Sequence, residues 1–196
     1  VPLTRQGEHK TYHLINADRL ATLSGNQTVI NACRGEVIDN QALLALKKQG
    51  HKLSVVLDVW ENEPKVLTEL IDYTDLATAH IAGYSLEGKS RGTEMLYQAA
   101  CKILGFKVTK SLSDFLPKPW LHNIEIEKPL NFAEQLKLMQ LTYDVRRDDA
   151  IFRHNLADKG FDTLRKTYPV RRENSALTIT SENLAVQEQL ASLGFT

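Results

Sequence analysis

Short apolar, β-branched runs alternate with amphipathic stretches along the first part of the chain. Asn16-Ala17-Asp18 predicts a helix start, with Asn16 as N-cap and Asp18 in the first turn, running to Leu23 and stopping near Ser24-Gly25. Thr28-Val29-Ile30-Asn31 reads as a short buried strand. Asp39 is placed to cap a helix over Asn40 to Lys48, where Lys47-Lys48 supplies a basic last turn and Gly50 a stop. Leu53 to Val59 is nearly continuously apolar, as expected of a parallel strand covered on both faces. Pro64 to Ile71 predicts a short helix with proline in its first turn, and Leu76 to Ala79 a third strand. A long helix follows from Ser85 to Leu104, ended by Gly105. Gly88 and Gly92 inside it each cost about 1 kcal/mol relative to alanine, so close packing is expected at both.

This strand–helix alternation predicts an α/β layered architecture. The pattern changes at Pro117-Lys118-Pro119-Trp120, a stiff linker signal, and becomes α+β. Asn123 to Glu127 reads as a strand and Phe132 to Leu141 as an amphipathic helix. Arg146 to Leu156 and Asp158 to Thr167 read as helices, broken at Tyr168-Pro169. Ala176 to Thr180 reads as a strand, and Ser181 as the start of a final helix. The segment after residue 117 has too few apolar residues to build a large core alone and is expected to pair with something.

Composition narrows the function classes. The chain has 24 basic and 24 acidic side chains and a formal net charge of zero, which removes the electrostatic footprint of a nucleic-acid or membrane-surface binder. No apolar run approaches the roughly 20 residues needed to span a bilayer. Cys33 and Cys101 lie far apart, without metal-ligand spacing or a CxxC pattern, so a reduced, cytoplasmic protein with buried thiols and no metal is expected. The chain opens on Val1-Pro2-Leu3-Thr4 without a methionine, and missing upstream sequence is expected.

Three polar residues then stand out because each falls where a strand should end: Arg34, Glu63 and His80. In an open parallel sheet the carboxyl ends of the strands converge on one crevice, where ligands bind. Arginine offers a planar fork suited to a carboxylate, and histidine titrates near working pH and can take or give a proton. A carboxylate beside it can hold the imidazole tautomer and stabilise its cation. Glu61 competes with Glu63 for that role, and spacing alone leaves the two open.

Together Asn31-Ala32-Cys33-Arg34-Gly35, Asp58-Val59-Trp60-Glu61-Asn62-Glu63-Pro64 and Ala79-His80-Ile81-Ala82-Gly83 resemble the D-2-hydroxyacid dehydrogenase family, over residues 1–105. The resemblance implies the second half of a doubly wound, Rossmann-like parallel sheet with a connecting helix, and it matches the acidic partner to Glu63, immediately before proline. It implies that Arg34 holds the substrate carboxylate, and that His80 takes the C2 hydroxyl proton while hydride leaves for NAD, with Glu63 in support. Asp58 would contact the nicotinamide end of the cofactor, Gly83 would let backbone approach it, and Val1 would line its site through the backbone. Tyr84 would meet the substrate.

A narrower branch of the family is resembled by His80 to Lys89 with Arg91-Gly92-Thr93, and by Tyr143 to Asp149 and Lys159 to Arg165 in the tail. That branch acts on a small phosphorylated hydroxy acid. It carries an extra C-terminal domain, which implies here a small α+β dimerisation domain over 106–196 and a homodimer. The competing readings are another D-2-hydroxyacid dehydrogenase, acting on glyoxylate, hydroxypyruvate or 3-phosphoglycerate, and a non-enzymatic interaction module on the same scaffold. The family's G-x-G-x-x-G phosphate loop does not occur in these 196 residues, so this polypeptide alone is expected to bind NADH poorly and to turn nothing over.

Overall fold

The computed structural model describes residues 1–121 and 123–195. Strand β1 (Thr28–Asn31) pairs in parallel with β2 (Ser54–Leu57), and β2 with β3 (Leu76–Ala77), in the order β1-β2-β3. Parallel neighbours need crossovers, which helices α2 (Asn40–Lys48) and α3 (Thr68–Ile71) supply. Local chemistry starts the helices where expected. Asn16 accepts a hydrogen bond from the Arg19 amide to begin α1 (Ala17–Ala21), and Asp39 accepts one from Ala42 to begin α2. Pro64, after a cis Glu63–Pro64 bond, stays outside α3, which starts only at Thr68.

By its contacts the chain forms two compact units, Val1–Ala82 with Arg146–Tyr168, and Gly83–Val145 with the residues from Pro169 onward. The boundary expected after residue 105 falls at the end of a helix inside the second unit. In the first unit Leu43, Leu53, Val55, Leu57 and Leu70 form a dry core together with Trp60. Phe152 from α6 (Val145–Lys159) and Phe161 and Leu164 from α7 (Phe161–Lys166) complete it. The tail segment that lacked a core of its own is thus shared out: these two helices bury their aromatic face against the sheet unit. Asp149 accepts the outward amide of Ala77 at 2.6 Å, so a side chain takes the ladder position that another strand would fill on β3. Arg153, paired with Asp149 at 2.9 Å, donates to the Ile71 and Thr74 carbonyls.

The sheet is not covered on both faces as its apolar run suggested. Val55 and Leu57 are fully buried, whereas Ser54 and Val56 on the other face are half-buried, and Ile30 is 68% exposed. Apolar residues on the open face hide the period-two alternation that would have signalled this.

In the second unit, α4 (Leu86–Leu104) starts at Ser85, whose hydroxyl accepts the Gly88 amide, and ends at Gly105 in the left-handed conformation. Close packing explains Gly88, where a Cβ would come within 2.7 Å of the Ser85 hydroxyl and 2.9 Å of the Gly83 carbonyl; Gly92 faces open space. Strands β4 (Asn123–Glu125) and β5 (Thr178–Thr180) pair in parallel. With α5 (Phe132–Thr142) and α8 (Leu184–Ser192) they enclose a small core of Leu138, Leu177, Ile179, Val186, Leu190 and Phe195. The final helix begins at Leu184 rather than Ser181, because Asn183 is the residue whose side chain caps it. Cys101 is buried, but Cys33 is only half-buried, and both are free thiols. Among the described residues no helix is long and apolar enough to cross a membrane.

Candidate active site

Two of the three strand-end residues meet. Glu63 Oε2 lies 2.8 Å from His80 Nδ1, and both side chains are about one-fifth exposed, at 19% and 21%. The other carboxylate oxygen of Glu63 accepts the Trp60 amide at 2.8 Å, so the carboxylate is held at both ends. A carboxylate only accepts, so this contact puts the ring proton on Nδ1 and leaves Nε2 of His80 as the atom free to take a proton.

The geometry separates the two competing carboxylates. Glu61 turns away, with Oε1 2.6 Å from His13 Nε2 and Oε2 accepting the Asn40 amide at 2.7 Å. It therefore caps the first turn of α2 rather than facing His80. Asp39, the N-cap of the same helix, lies 3.5 Å from His13 Nδ1. His13, Asp39 and Glu61 bring ligand-type atoms within 4.8 Å of one another, a grouping that could hold a metal ion.

His80 sits in the left-handed backbone region, φ 57°, which costs a non-glycine residue about 1–2 kcal/mol. Asp58, 7% exposed at the end of β2, supplies what holds it there. Its Oδ1 accepts the Thr78 hydroxyl and the Ile81 amide, both at 2.6 Å, and its Oδ2 accepts the Ala82 amide at 2.9 Å. The Asp58 carbonyl accepts the His80 amide itself at 2.7 Å. This carboxylate, expected at the cofactor, is engaged at both oxygens with the loop that carries His80.

Arg34 stands on the same carboxyl edge, after β1, exposed, with NH1 donating to the Cys33 carbonyl at 2.6 Å. Asn31 anchors its loop by donating to the Arg34 carbonyl at 2.9 Å. Gly35 follows because the chain runs against Trp60: a Cβ there would lie 1.9 Å from the Trp60 carbonyl oxygen. Val1, at the exposed start of the first unit, is 65% exposed. Sequence reasoning singled out neither Gly35 nor Trp60. The signal available was their position inside the two strand-end motifs.

Gly83 and Tyr84 belong to the second unit. Gly83 has φ 77° and open space around its Cα, a backbone that can be approached closely. The Lys89 ammonium lies over the Tyr84 ring, 4.8 Å from its centroid. The same unit holds a charged cluster in which Glu87, 4% exposed, pairs with Arg172 at 2.6 Å, and Glu173 pairs with Arg91 at 2.7 Å.

Residues 1–82 match the family model described as D-isomer specific 2-hydroxyacid dehydrogenase, NAD binding domain, and residues 115–194 match a domain of unknown function, DUF3410. The whole chain is similar to the erythronate-4-phosphate dehydrogenases of Colwellia psychrerythraea, at 54% identity over 195 residues, and of Pseudoalteromonas translucida, at 52% over 196. The enzyme of that name from Shewanella oneidensis is 49% identical over 196 residues. The chain spans about half the length of these relatives, 50% of the first and 52% of the other two. Residues 1–82, which carry the Glu63–His80 pair at their sheet edge, are thus similar to the NAD binding domain of D-isomer specific 2-hydroxyacid dehydrogenases.

Proposed function

We propose that this chain carries the acid–base half of an erythronate-4-phosphate dehydrogenase, which oxidises the C2 hydroxyl of 4-phosphoerythronate to the 2-oxo acid. The observation that carries the reading is the Glu63–His80 contact at 2.8 Å, with Nε2 of His80 left to accept a proton. The Arg34 guanidinium, on the same strand-end edge, binds the substrate carboxylate and polarises the oxygen that becomes the carbonyl. Nε2 of His80 takes the hydroxyl proton as the C2–O bond gains double-bond character, and Glu63 stabilises the imidazolium that results. NAD, when bound, supplies the acceptor for the hydride that leaves C2. On this reading the backbone of Val1 faces the cofactor, and Asp58 braces the loop that presents His80. Residues 106–196 supply the homodimer interface.

The test is a substrate panel on the protein extended to the full length of its relatives. Preference for 4-phosphoerythronate over glycerate, lactate and 3-phosphoglycerate by at least about a hundredfold in kcat/KM supports the reading. Equal rates on the unphosphorylated acids overturn the substrate assignment.

A further inference from the structure

Trp60 touches all three loops that carry the proposed catalytic side chains. Its amide donates to Oε1 of Glu63 at 2.8 Å, the carboxylate whose other oxygen faces His80. Its indole Nε1–H donates to the Thr78 carbonyl at 2.9 Å, two residues before His80. Its own carbonyl lies against Gly35, immediately after Arg34, at a distance that no side chain could share. The ring is 1% exposed and packs on Phe152 with centroids 5.6 Å apart, and Phe152 in turn meets Phe161 edge-on at 6.0 Å. Helices α6 and α7 thus fix the indole from one side, and the indole fixes the catalytic loops on the other.

We propose that Trp60 is a positioning residue for the dehydrogenase reaction, setting the register between the Glu63 turn and the strand end that carries His80. The proposal rests on the reading of Glu63 and His80 as the catalytic pair. Its physical basis is the indole N–H. Thr78 is 5% exposed, so its carbonyl depends on that donor, and both groups would be orphaned by its loss. A phenyl ring would still meet Phe152, leaving part of the indole's volume unfilled, but it has no N–H to offer the Thr78 carbonyl. The hydrogen bond adds a fixed distance between the two loops, and the Glu63–His80 contact spans the same gap.

The experiment is Trp60→Phe in the protein at the full length of its relatives, beside His80→Ala. Phenylalanine keeps an aromatic ring in the core and removes the donor. The expected result is a fall in kcat of about tenfold, with KM for 4-phosphoerythronate and for NAD changed by less than about twofold. A change in the shape of the kcat/KM–pH profile accompanies it, because the Glu63–His80 alignment sets that profile and core packing does not. A Trp60→Phe enzyme with wild-type kcat and pH profile overturns the proposal, whatever its melting temperature. If that variant does not fold, benzothienylalanine at residue 60, which replaces N–H by sulfur at nearly constant shape, carries the same two outcomes. An inactive His80→Ala beside a wild-type Trp60→Phe removes only the role of Trp60. Full turnover by His80→Ala removes the catalytic pair and this proposal with it.

Discussion

Asp58 and His80 are joined twice over: the Asp58 carbonyl accepts the His80 amide at 2.7 Å, and the Asp58 carboxylate gathers the amides of the two residues that follow. A histidine with φ 57° relaxes towards ordinary backbone unless something over-determines it, and this carboxylate does so from within the chain. The imidazole is therefore presented by a loop whose shape depends on one buried acid.

Replacing Asp58 by alanine removes three acceptor contacts, from the Thr78 hydroxyl and the Ile81 and Ala82 amides. At about 1 kcal/mol each, more where a donor stays buried, the first unit should lose roughly 3 kcal/mol of stability. Calorimetry should show a melting temperature lower by about 10 °C or more. A change of under about 2 °C would mean that the loop holds its shape without this acid.

The two carboxylates of the turn should separate cleanly. Glu63→Gln keeps the shape but withdraws the charge facing His80 Nδ1, and kcat should fall by about a hundredfold or more in the full-length protein. Glu61→Gln should leave kcat within about threefold and lower stability by about 1 kcal/mol, because that carboxylate caps α2 and pairs with His13. Steady-state kinetics with thermal melts on both variants checks this, and the reverse pattern would exchange their roles.

The 196-residue polypeptide, tested as it stands, should bind NADH with a Kd weaker than about 1 mM and show no turnover, since it carries no G-x-G-x-x-G loop to cradle the pyrophosphate. Isothermal titration measures this directly. Micromolar affinity would show that the cofactor is gripped mainly by the nicotinamide side of the site.

What could be read from the sequence was local. Asn16, Asp39 and Ser85 announce their helices because a capping side chain bonds its own near neighbours. The strand-end positions of Arg34, Glu63 and His80 were legible because a run of β-branched residues ends just before a turn. Long-range choices were not. Phe152 and Phe161 read as apolar positions on two successive helices, without saying that Phe152 packs on Trp60 and Phe161 on Phe152. Ile30 and Val56 look like buried strand positions because burial on one face and on two read alike when both faces are apolar. His80 and Asn62 take positive φ without being glycines, which composition cannot signal, since the hydrogen bonds that hold such a backbone come from elsewhere in the fold.

The central claim is that His80, held by Glu63, moves the hydroxyl proton. The most direct measurement is the kcat of His80→Ala with 4-phosphoerythronate and NAD, in the protein at the full length of its relatives, with NAD affinity measured alongside. Loss of kcat by about a thousandfold or more with NAD affinity kept within about threefold is the expected result. A variant that turns over at more than about a tenth of the wild-type rate would contradict the account.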